Sequence, residues 1–393
     1  MNWRRLLALC TGLLVVVCLP SASPAECPIC GQPTVTLSER YARADVALLV
    51  EWVSTRPASE KKSDSTTYVI VQAPRGGERA FKPGRRLTID GYHAGKPGSL
   101  VFLMGNENEA GKVQWDHPPL DVTETSFQYI IQAPSGELPT VKRLEYFVRF
   151  LEYPDYTIAN DAFGEFVNAS AADIAAMAGK LPREKIRRWL LDPRISPGRQ
   201  AGYGLMLGLC GKPEDAGLLE ERILDENEER RTGIEGLMVG LMLLKGEPAL
   251  ELLDRSFASK SDSSDGDVFS VITAIRYFWT YGNGSIARPR MVAVMRRFLR
   301  DPRVNESAIV DLARWKAWEI QEELRHLYVE TDRADEKTRS AIIGYMLAAT
   351  KDIPQNPDQE LPPHAQLAHQ ALAEFRARDP KLVAKVESGF PSS

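Results

Sequence analysis

The spacing of the hydrophobic residues changes near Pro139, and this change constrains the fold more than any other feature of the sequence. Before it, short β-branched and aromatic runs alternate with turns rich in Gly and Pro, which is typical of strands. After it, apolar residues recur at intervals of three and four, which is typical of helices. We therefore predict an α+β chain, with a β-rich part followed by a helical part and a boundary within residues 133–139.

The β-rich part is predicted to hold five short strands in fewer than 100 residues. Pro and Gly cluster at residues 73–77, 82–84 and 96–98, where they supply turns between the strands. Strands this short and this closely spaced favour a small barrel. The predicted strands are residues 46–53, 66–71, 86–89, 100–104 and 113–115.

The helical part repeats at intervals of about 35 residues. Leu209 and Leu244 are 35 residues apart, and each is followed by Gly and Pro at the same spacing. Trp279 lies a further 35 residues along the chain. A period of this length, filled by helix pairs, is typical of an α-solenoid. A nonrepetitive helical bundle is the alternative that the pattern leaves open.

Two segments of the helical part have the pattern of HEAT or armadillo-type repeats. Residues 155–166 (DYTIANDAFGEF) and 231–244 (RTGIEGLMVGLMLL) both fit the second helix of such a pair. On this basis, residues 138–375 resemble HEAT-like repeats and residues 376–393 are assigned to a C-terminal tail. The resemblance is one of pattern, without a catalytic motif, and it implies a scaffold for binding and assembly.

The start of the β-rich part resembles a second family. Residues 27–31 (CPICG) and 41–53 (YARADVALLVEWV) are similar to the start of netrin-like and metalloproteinase-inhibitor-like domains, which implies an OB-like barrel over residues 26–135. The chain has Cys-x-x-Cys where the inhibitors have Cys-x-Cys, and it has no later barrel cysteine, which argues against metalloproteinase inhibition. The combined architecture resembles uncharacterised secreted bacterial proteins.

The first 25 residues are predicted to be an export signal. Arg4 and Arg5 precede an apolar run at residues 6–19, and Ser23 and Ala25 form a Ser-x-Ala cleavage site. The apolar run is shorter than the roughly 20 residues that a spanning helix needs. We therefore expect an exported protein, periplasmic or extracellular, that has no transmembrane segment after signal cleavage.

The composition and charge narrow the classes of partner. The chain has 393 residues, of which 44% are hydrophobic and 26% charged, as in globular proteins. Its formal net charge of −4 becomes −6 once Arg4 and Arg5 leave with the signal. Nucleic-acid binding draws on clustered Lys and Arg, so we predict another protein as the partner and no nucleic acid.

Cys27 and Cys30 form the most distinctive local motif of the sequence. A redox pair needs a strand before the motif and a helix after it, and no strand precedes it in the mature chain. A zinc site needs four ligands and would have to recruit His93, His117 or a second chain. We predict instead a Cys27–Cys30 disulfide, formed after export, that clips the N-terminus to the barrel.

The remaining candidate residues favour structural roles. Cys210 lies among apolar helical residues and is predicted to be an inert buried thiol. His117, beside a carboxylate, could act as a base but fits a turn better, and the acidic residues 225–229 fit a solvated linker better than a calcium loop. Four tryptophans could line a groove or pack between helices; they are Trp189, Trp279, Trp315 and Trp318.

These observations predict an exported protein-binding or envelope scaffold. The sequence has no Gly-x-Ser-x-Gly nucleophile elbow, and we identify neither a catalytic residue, nor a metal site, nor a cofactor. Enzymatic activity stays an open question, with a binding role favoured. The alternative is a metal- or thiol-dependent activity centred on the N-terminal Cys-x-x-Cys.

Overall fold

The computed structural model describes residues 29–59, 63–76, 80–225, 227, 231–260, 262–354 and 360–390. An N-terminal antiparallel sheet is followed by many helices, which confirms the α+β class. Helix α1 (Leu37–Arg43) precedes the sheet. The strands are β1 (Val46–Arg56), β2 (Ser65–Arg75), β3 (Arg86–Asp90), β4 (Leu100–Glu107), β5 (Val113–Trp115) and β6 (Leu120–Asp121).

The sheet is a half-barrel with the strand order β3-β2-β1-β4-β5. The short strand β6 pairs with β4 beside β5, and every pairing is antiparallel. The five predicted strands are confirmed, and β6 is an addition. With two residues, β6 is too short to leave an alternating pattern in the sequence.

The two central strands are buried on both faces. In β1, Val46 and Leu48 face the interior of the half-barrel, whereas Ala47 and Leu49 face the helices. Strand β4 follows the same alternation, because successive side chains of a strand point to opposite faces. Burial on both faces explains the continuous apolar runs that mark these strands in the sequence.

The helical part begins at Glu124, before the boundary predicted within residues 133–139. Thr123 and Ser126 form a capping box at this point, in which each side chain accepts a hydrogen bond from the other's backbone N–H. The first helices are α2 (Glu124–Ile131), α3 (Thr140–Phe147), α4 (Tyr156–Val167), α5 (Ala171–Ala176), α6 (Arg183–Leu191), α7 (Pro197–Cys210), α8 (Ala216–Leu224) and α9 (Ile234–Lys245).

Helices continue almost to the end of the chain. Residues 376–390, which we assigned to a C-terminal tail, instead complete one helix and form another, in which Val383 is fully buried. The remaining helices are α10 (Glu247–Leu253), α11 (Asp265–Tyr281), α12 (Arg288–Met295), α13 (Asn305–Arg314), α14 (Gln321–Glu330), α15 (Glu336–Lys351), α16 (Pro363–Arg378) and α17 (Pro380–Gly389).

The helices pack in a repeat-like order. Helix α7 contacts α9, α9 contacts α11, and α13 contacts α15, so helices two apart in the chain lie side by side. Contacts also join residues about one sequence period apart: the side chains of Arg276 and Asp311 form an ion pair, and Trp279 stacks on Trp315. The 35-residue spacing in the sequence therefore corresponds to neighbouring helices.

One hydrophobic core runs from the sheet through the helices. Phe102 of β4 lies edge-on against Phe127 of α2, with ring centroids 5.3 Å apart. Ala47, Leu49, Phe102 and Met104 belong to the same buried cluster as the helices from α2 to α17. The sheet is therefore continuous with the helical core and covers its N-terminal end.

Candidate binding groove

A groove opens on the C-terminal half of the helical part. Helix α15 contacts both α13 and α17, and the groove runs along these three helices with a volume of about 570 Å³. Its rim carries five charged residues, discussed below. Its floor is apolar and is formed by Val310, Ala313, Ala341, Gly344, Ala348 and Phe390.

The floor follows from the residue pattern of α15. Ala341, Gly344 and Ala348 recur at intervals of three and four, so they lie on one face of the helix. The large apolar residues of α15, such as Ile342 and Met346, lie on the other side and are fully buried in the core. The helix thus directs its bulk inward and presents small residues to the groove.

A side chain at Gly344 would point into open space within the described part of the protein. Gly344 lies in the interior of a 16-residue helix, and a Cβ built on it meets no atom of the described residues within 4 Å. A glycine in a helix interior costs about 0.5–1 kcal/mol relative to alanine. The packing of the described residues therefore does not require a glycine at this position.

Tyr345 gives the groove a rigid base. Its side chain is 1% exposed, and its hydroxyl donates a hydrogen bond to the carbonyl oxygen of Ala317. Its ring lies edge-on against Trp318, with centroids 5.2 Å apart. Burial raises the pKa of Tyr345, so the hydroxyl stays protonated at physiological pH. These contacts therefore hold the base of the groove at Tyr345 in a fixed conformation.

Charges of both signs surround the apolar floor. Lys385 Nζ lies 3.1 Å from Glu336 Oε2, which links α17 to α15 across the groove. Both side chains are more than half exposed, so this pair contributes little to stability and is free to exchange partners. The complete set of charged rim residues is Glu306, Arg314, Glu336, Lys337 and Lys385.

Cys30, one of the two cysteines of the predicted disulfide, is buried. Cys30 is disulfide-bonded and only 2% exposed, and it belongs to the main hydrophobic core. Cys27 lies outside the described residues, so the Cys27–Cys30 pairing stays a prediction. Gly31 follows with a φ of +123°, and Val167 of α4 lies 3.9 Å from the position of its Cβ. The segment after Cys30 therefore packs on α4.

His93 has polar partners within the half-barrel, and His117 lies against one of its glycines. His93 Nδ1 lies 2.8 Å from the hydroxyl of Tyr68, and its Nε2 lies 3.1 Å from Asp121 Oδ1. His117 lies beside Gly91, where a Cβ would be 3.1 Å from its Cε1. Within the described part of the chain, no three His, Cys, Asp or Glu side chains form a cluster suited to a metal ion.

Cys210 is partly buried, not buried as predicted, whereas the four tryptophans pack against other aromatic side chains. Cys210 carries a free thiol, and burial raises its pKa to about 11, which keeps it protonated and unreactive at neutral pH. Trp279 stacks on Trp315 at 4.3 Å, and the Arg288 guanidinium lies 4.8 Å from the same Trp279 ring. Trp189 packs against Tyr203, and Trp318 stacks on His364. These contacts fit the packing alternative.

The sequence reasoning missed a buried pair of carboxylates on α4. Asp161 Oδ1 accepts a 2.5 Å hydrogen bond from the backbone N–H of Leu37, and its Oδ2 accepts one of 2.8 Å from the hydroxyl of Tyr129. Glu165, one turn later, accepts hydrogen bonds from Arg143, at 2.5 Å, and from the hydroxyl of Ser38. The pair therefore ties the segment before the sheet to the helices.

In this network, burial disfavours the ionised form of Asp161. Burial raises the pKa of Asp161 to about 6, against the effect of the two hydrogen bonds that favour its charged form. Burial, together with the nearby Asp161 carboxylate, also raises the pKa of Tyr129. The available signal was the i, i+4 spacing of two acids inside an apolar helix. The contacts named here join α1, α2 and α3 to α4.

Comparison with known proteins adds no assignment. In the described residues, no helix combines the length and the apolar character that crossing a membrane requires. No family model, no curated protein and no solved structure matches this chain. The groove along α13, α15 and α17 is the candidate functional site.

Proposed function

We propose that this protein is an exported binding or scaffold protein whose groove along α13, α15 and α17 receives an amphipathic helix of a partner protein. The observation that carries the proposal is Gly344, a glycine in a helix interior whose open side faces the groove. A helix laid in an apolar groove is a recurrent mode of peptide recognition. The charged rim would then set its orientation.

The packing of this protein's own helices supports a helical partner. Between α7 and α9, glycines allow two backbones to touch: a Cβ on Gly208 would lie 2.4 Å from the Cα of Gly240. Small residues permit the same close approach between any two helices. Gly344, flanked by Ala341 and Ala348, offers a partner helix a surface of this kind.

The mixed charges of the rim support a partner with charges of both signs. Lys337 and Glu306 lie near the first turns of α15 and α13, and both line the groove. Exposed charge pairs add little affinity but select orientation and raise the association rate. A partner helix with an apolar face and oppositely placed acidic and basic residues fits this rim.

The alternative of a thiol-dependent activity has less support. A reactive cysteine must be accessible as a thiolate, whereas Cys30 is buried and disulfide-bonded. Export itself is proposed from the N-terminal signal alone, whose residues lie outside the described part of the chain.

Site-specific photocrosslinking in the native envelope tests the groove. A benzoylphenylalanine at Val310, which is 36% exposed and lines the groove, should crosslink to a helical segment of a partner. The same probe at Phe269, 48% exposed on α11, is the position control. Equal crosslinking yields at the two positions would contradict the proposal.

Gly344→Leu tests whether the Val310 crosslink depends on an open groove. Because it adds a side chain to open space in a helix, it should keep or raise the stability while filling the groove and removing the Val310 crosslink. Gly217→Leu, at an equally open position on α8, should leave the crosslink intact. A crosslink that survives Gly344→Leu in folded protein would rule out the groove as the site.

A further inference from the structure

A second cavity, with a volume of about 470 Å³, lies beside the groove. Its walls come from the turn before α15, from α15 itself and from the junction of α16 and α17. In a chain with a formal net charge of −4, its lining is strongly cationic. Five basic side chains line it: Arg333, Arg339, Arg378, Lys381 and Lys385.

Three of the arginines converge on one carboxylate. Arg339 donates a hydrogen bond to Asp379 Oδ2, while the Nε atoms of Arg333 and Arg378 lie 3.9 and 4.0 Å from its carboxylate oxygens. Asp379 also accepts a 3.1 Å hydrogen bond from the hydroxyl of Tyr328. A single carboxylate cannot neutralise three guanidinium groups, so positive charge remains in excess.

The second carboxylate does not restore the balance. Glu336 lines the cavity but is paired with Lys385 at 3.1 Å. Lys381 adds another exposed positive charge on the first turn of α17. With five cations against two carboxylates, the cavity keeps three positive charges that are not balanced from within its lining.

Arg339 gives the cavity a fixed charge. Its side chain is 3% exposed, and its guanidinium lies 4.6 Å from the centroid of the Tyr328 ring. That ring stacks on Phe375 at 3.8 Å, so the arginine cannot move freely. Its Nε has no hydrogen-bond partner among the described residues. A charge held in a poorly solvated position acts more strongly on a ligand than one in water.

The start of α17 adds to the positive potential. This ten-residue helix begins at Pro380, which lines the cavity, and the positive end of its dipole lies there. The side chain of Asp379 makes no capping hydrogen bond to the backbone of the helix. Unpaired N–H groups at a helix start favour a bound anion.

We propose that this cavity is a binding site for a phosphate or sulfate group. Arginines suit tetrahedral oxyanions because their planar guanidinium groups donate paired hydrogen bonds. The exposed Arg333, Arg378 and Lys381 would contact the anion, and the buried Arg339 would supply a fixed field. The inference does not depend on the partner helix proposed for the groove.

Calorimetric titration of the intact mature protein with inorganic phosphate, and separately with sulfate, tests the site at constant ionic strength. The double variant Arg333→Gln/Lys381→Gln should bind at least about tenfold more weakly, because each charge-assisted hydrogen bond contributes substantially to affinity. Arg43→Gln is the matched control, since Arg43 on α1 is 70% exposed and Arg333 is 71% exposed. It should bind like the wild type.

Further titrants identify the source of the phosphate group. Glycerol 3-phosphate represents a soluble phosphate ester, and vesicles of phosphatidylglycerol represent a lipid headgroup. The titrant whose binding is weakened by Arg333→Gln/Lys381→Gln shows which of these two sources the site recognises. The absence of saturable binding by the wild type in every titration would overturn the proposal. Equal binding by the wild type and the double variant would also overturn it, because that result indicates a general salt effect.

Discussion

Gly208 of α7 and Gly240 of α9 touch through their backbones, so that a Cβ on Gly208 would lie 2.4 Å from the Cα of Gly240. Gly204 and Gly236 lie along the same line of contact, where a Cβ on either would meet backbone atoms at 2.6 and 1.9 Å. Only glycine allows this separation between the two helices. The contact fixes the distance between α7 and α9.

Gly240→Ala should therefore destabilise the protein. Its Cβ would lie 2.2 Å from the carbonyl oxygen of Gly204, so α7 and α9 must move apart. Such overpacking costs about 1–3 kcal/mol in the free energy of unfolding. Urea denaturation measures the loss, and Gly217→Ala, where a Cβ meets nothing within 4 Å, should cause none. Equal stabilities of the two variants would show that the helices tolerate separation.

Asp161→Asn should change how stability depends on pH. Burial raises the folded-state pKa of Asp161 to about 6, above its unfolded value of 3.8, so folding favours the protonated form. The contribution of Asp161 to stability is therefore lost as pH rises from about 4 through about 6, and the variant lacks this pH-dependent contribution. The difference in the free energy of unfolding should grow by up to about 3 kcal/mol over this range.

Urea denaturation from pH 4 to pH 7.5 measures this difference. Asparagine keeps an acceptor for the Leu37 N–H, and its amide N–H₂ can donate to the hydroxyl of Tyr129. Glu109→Gln, on an exposed turn, should follow the wild type throughout. A constant difference between the wild type and Asp161→Asn would mean that the Asp161 carboxyl is charged at pH 4 in the folded protein.

Tyr129→Phe should remove one donor from the buried network. The hydroxyl of Tyr129 donates a 2.8 Å hydrogen bond to Asp161, and its residue is 3% exposed. Leaving a buried carboxylate oxygen without this donor should cost about 1–3 kcal/mol and raise the pKa of Asp161 further. Thermal unfolding measures the loss against Tyr156→Phe, whose residue is 77% exposed. Equal melting temperatures would show that the bond contributes nothing.

Cys27 and Cys30 should be linked to each other in protein isolated from the exported fraction. The physical reason is that Cys30 is buried and disulfide-bonded, and Cys27 is the nearest cysteine in the sequence. Alkylation without reduction, followed by peptide mass mapping, measures the pairing, and Cys210 should be alkylated only after unfolding. A disulfide that joins Cys30 to another chain would refute the local clip.

The sequence by itself determined the class and the strands. Short β-branched and aromatic runs between Gly- and Pro-rich turns placed β2 and β3, and the two-sided burial of β1 and β4 appeared as apolar runs. The 35-residue spacing from Leu209 to Leu244 indicated a repeat-like helical part. These features are carried by residue type and by spacing along the chain.

Only the tertiary structure determined how these helices and strands pack and which surfaces they create. Strand-like residues such as Phe127 and Ile130 hid helix α2, which packing against the sheet stabilises. Residues 380–389 looked like a tail because Val383 is their single fully buried side chain. The groove at Gly344 and the cations around Asp379 bring together residues from separate helices, and side chains that meet only through folding leave no periodic signal in the sequence.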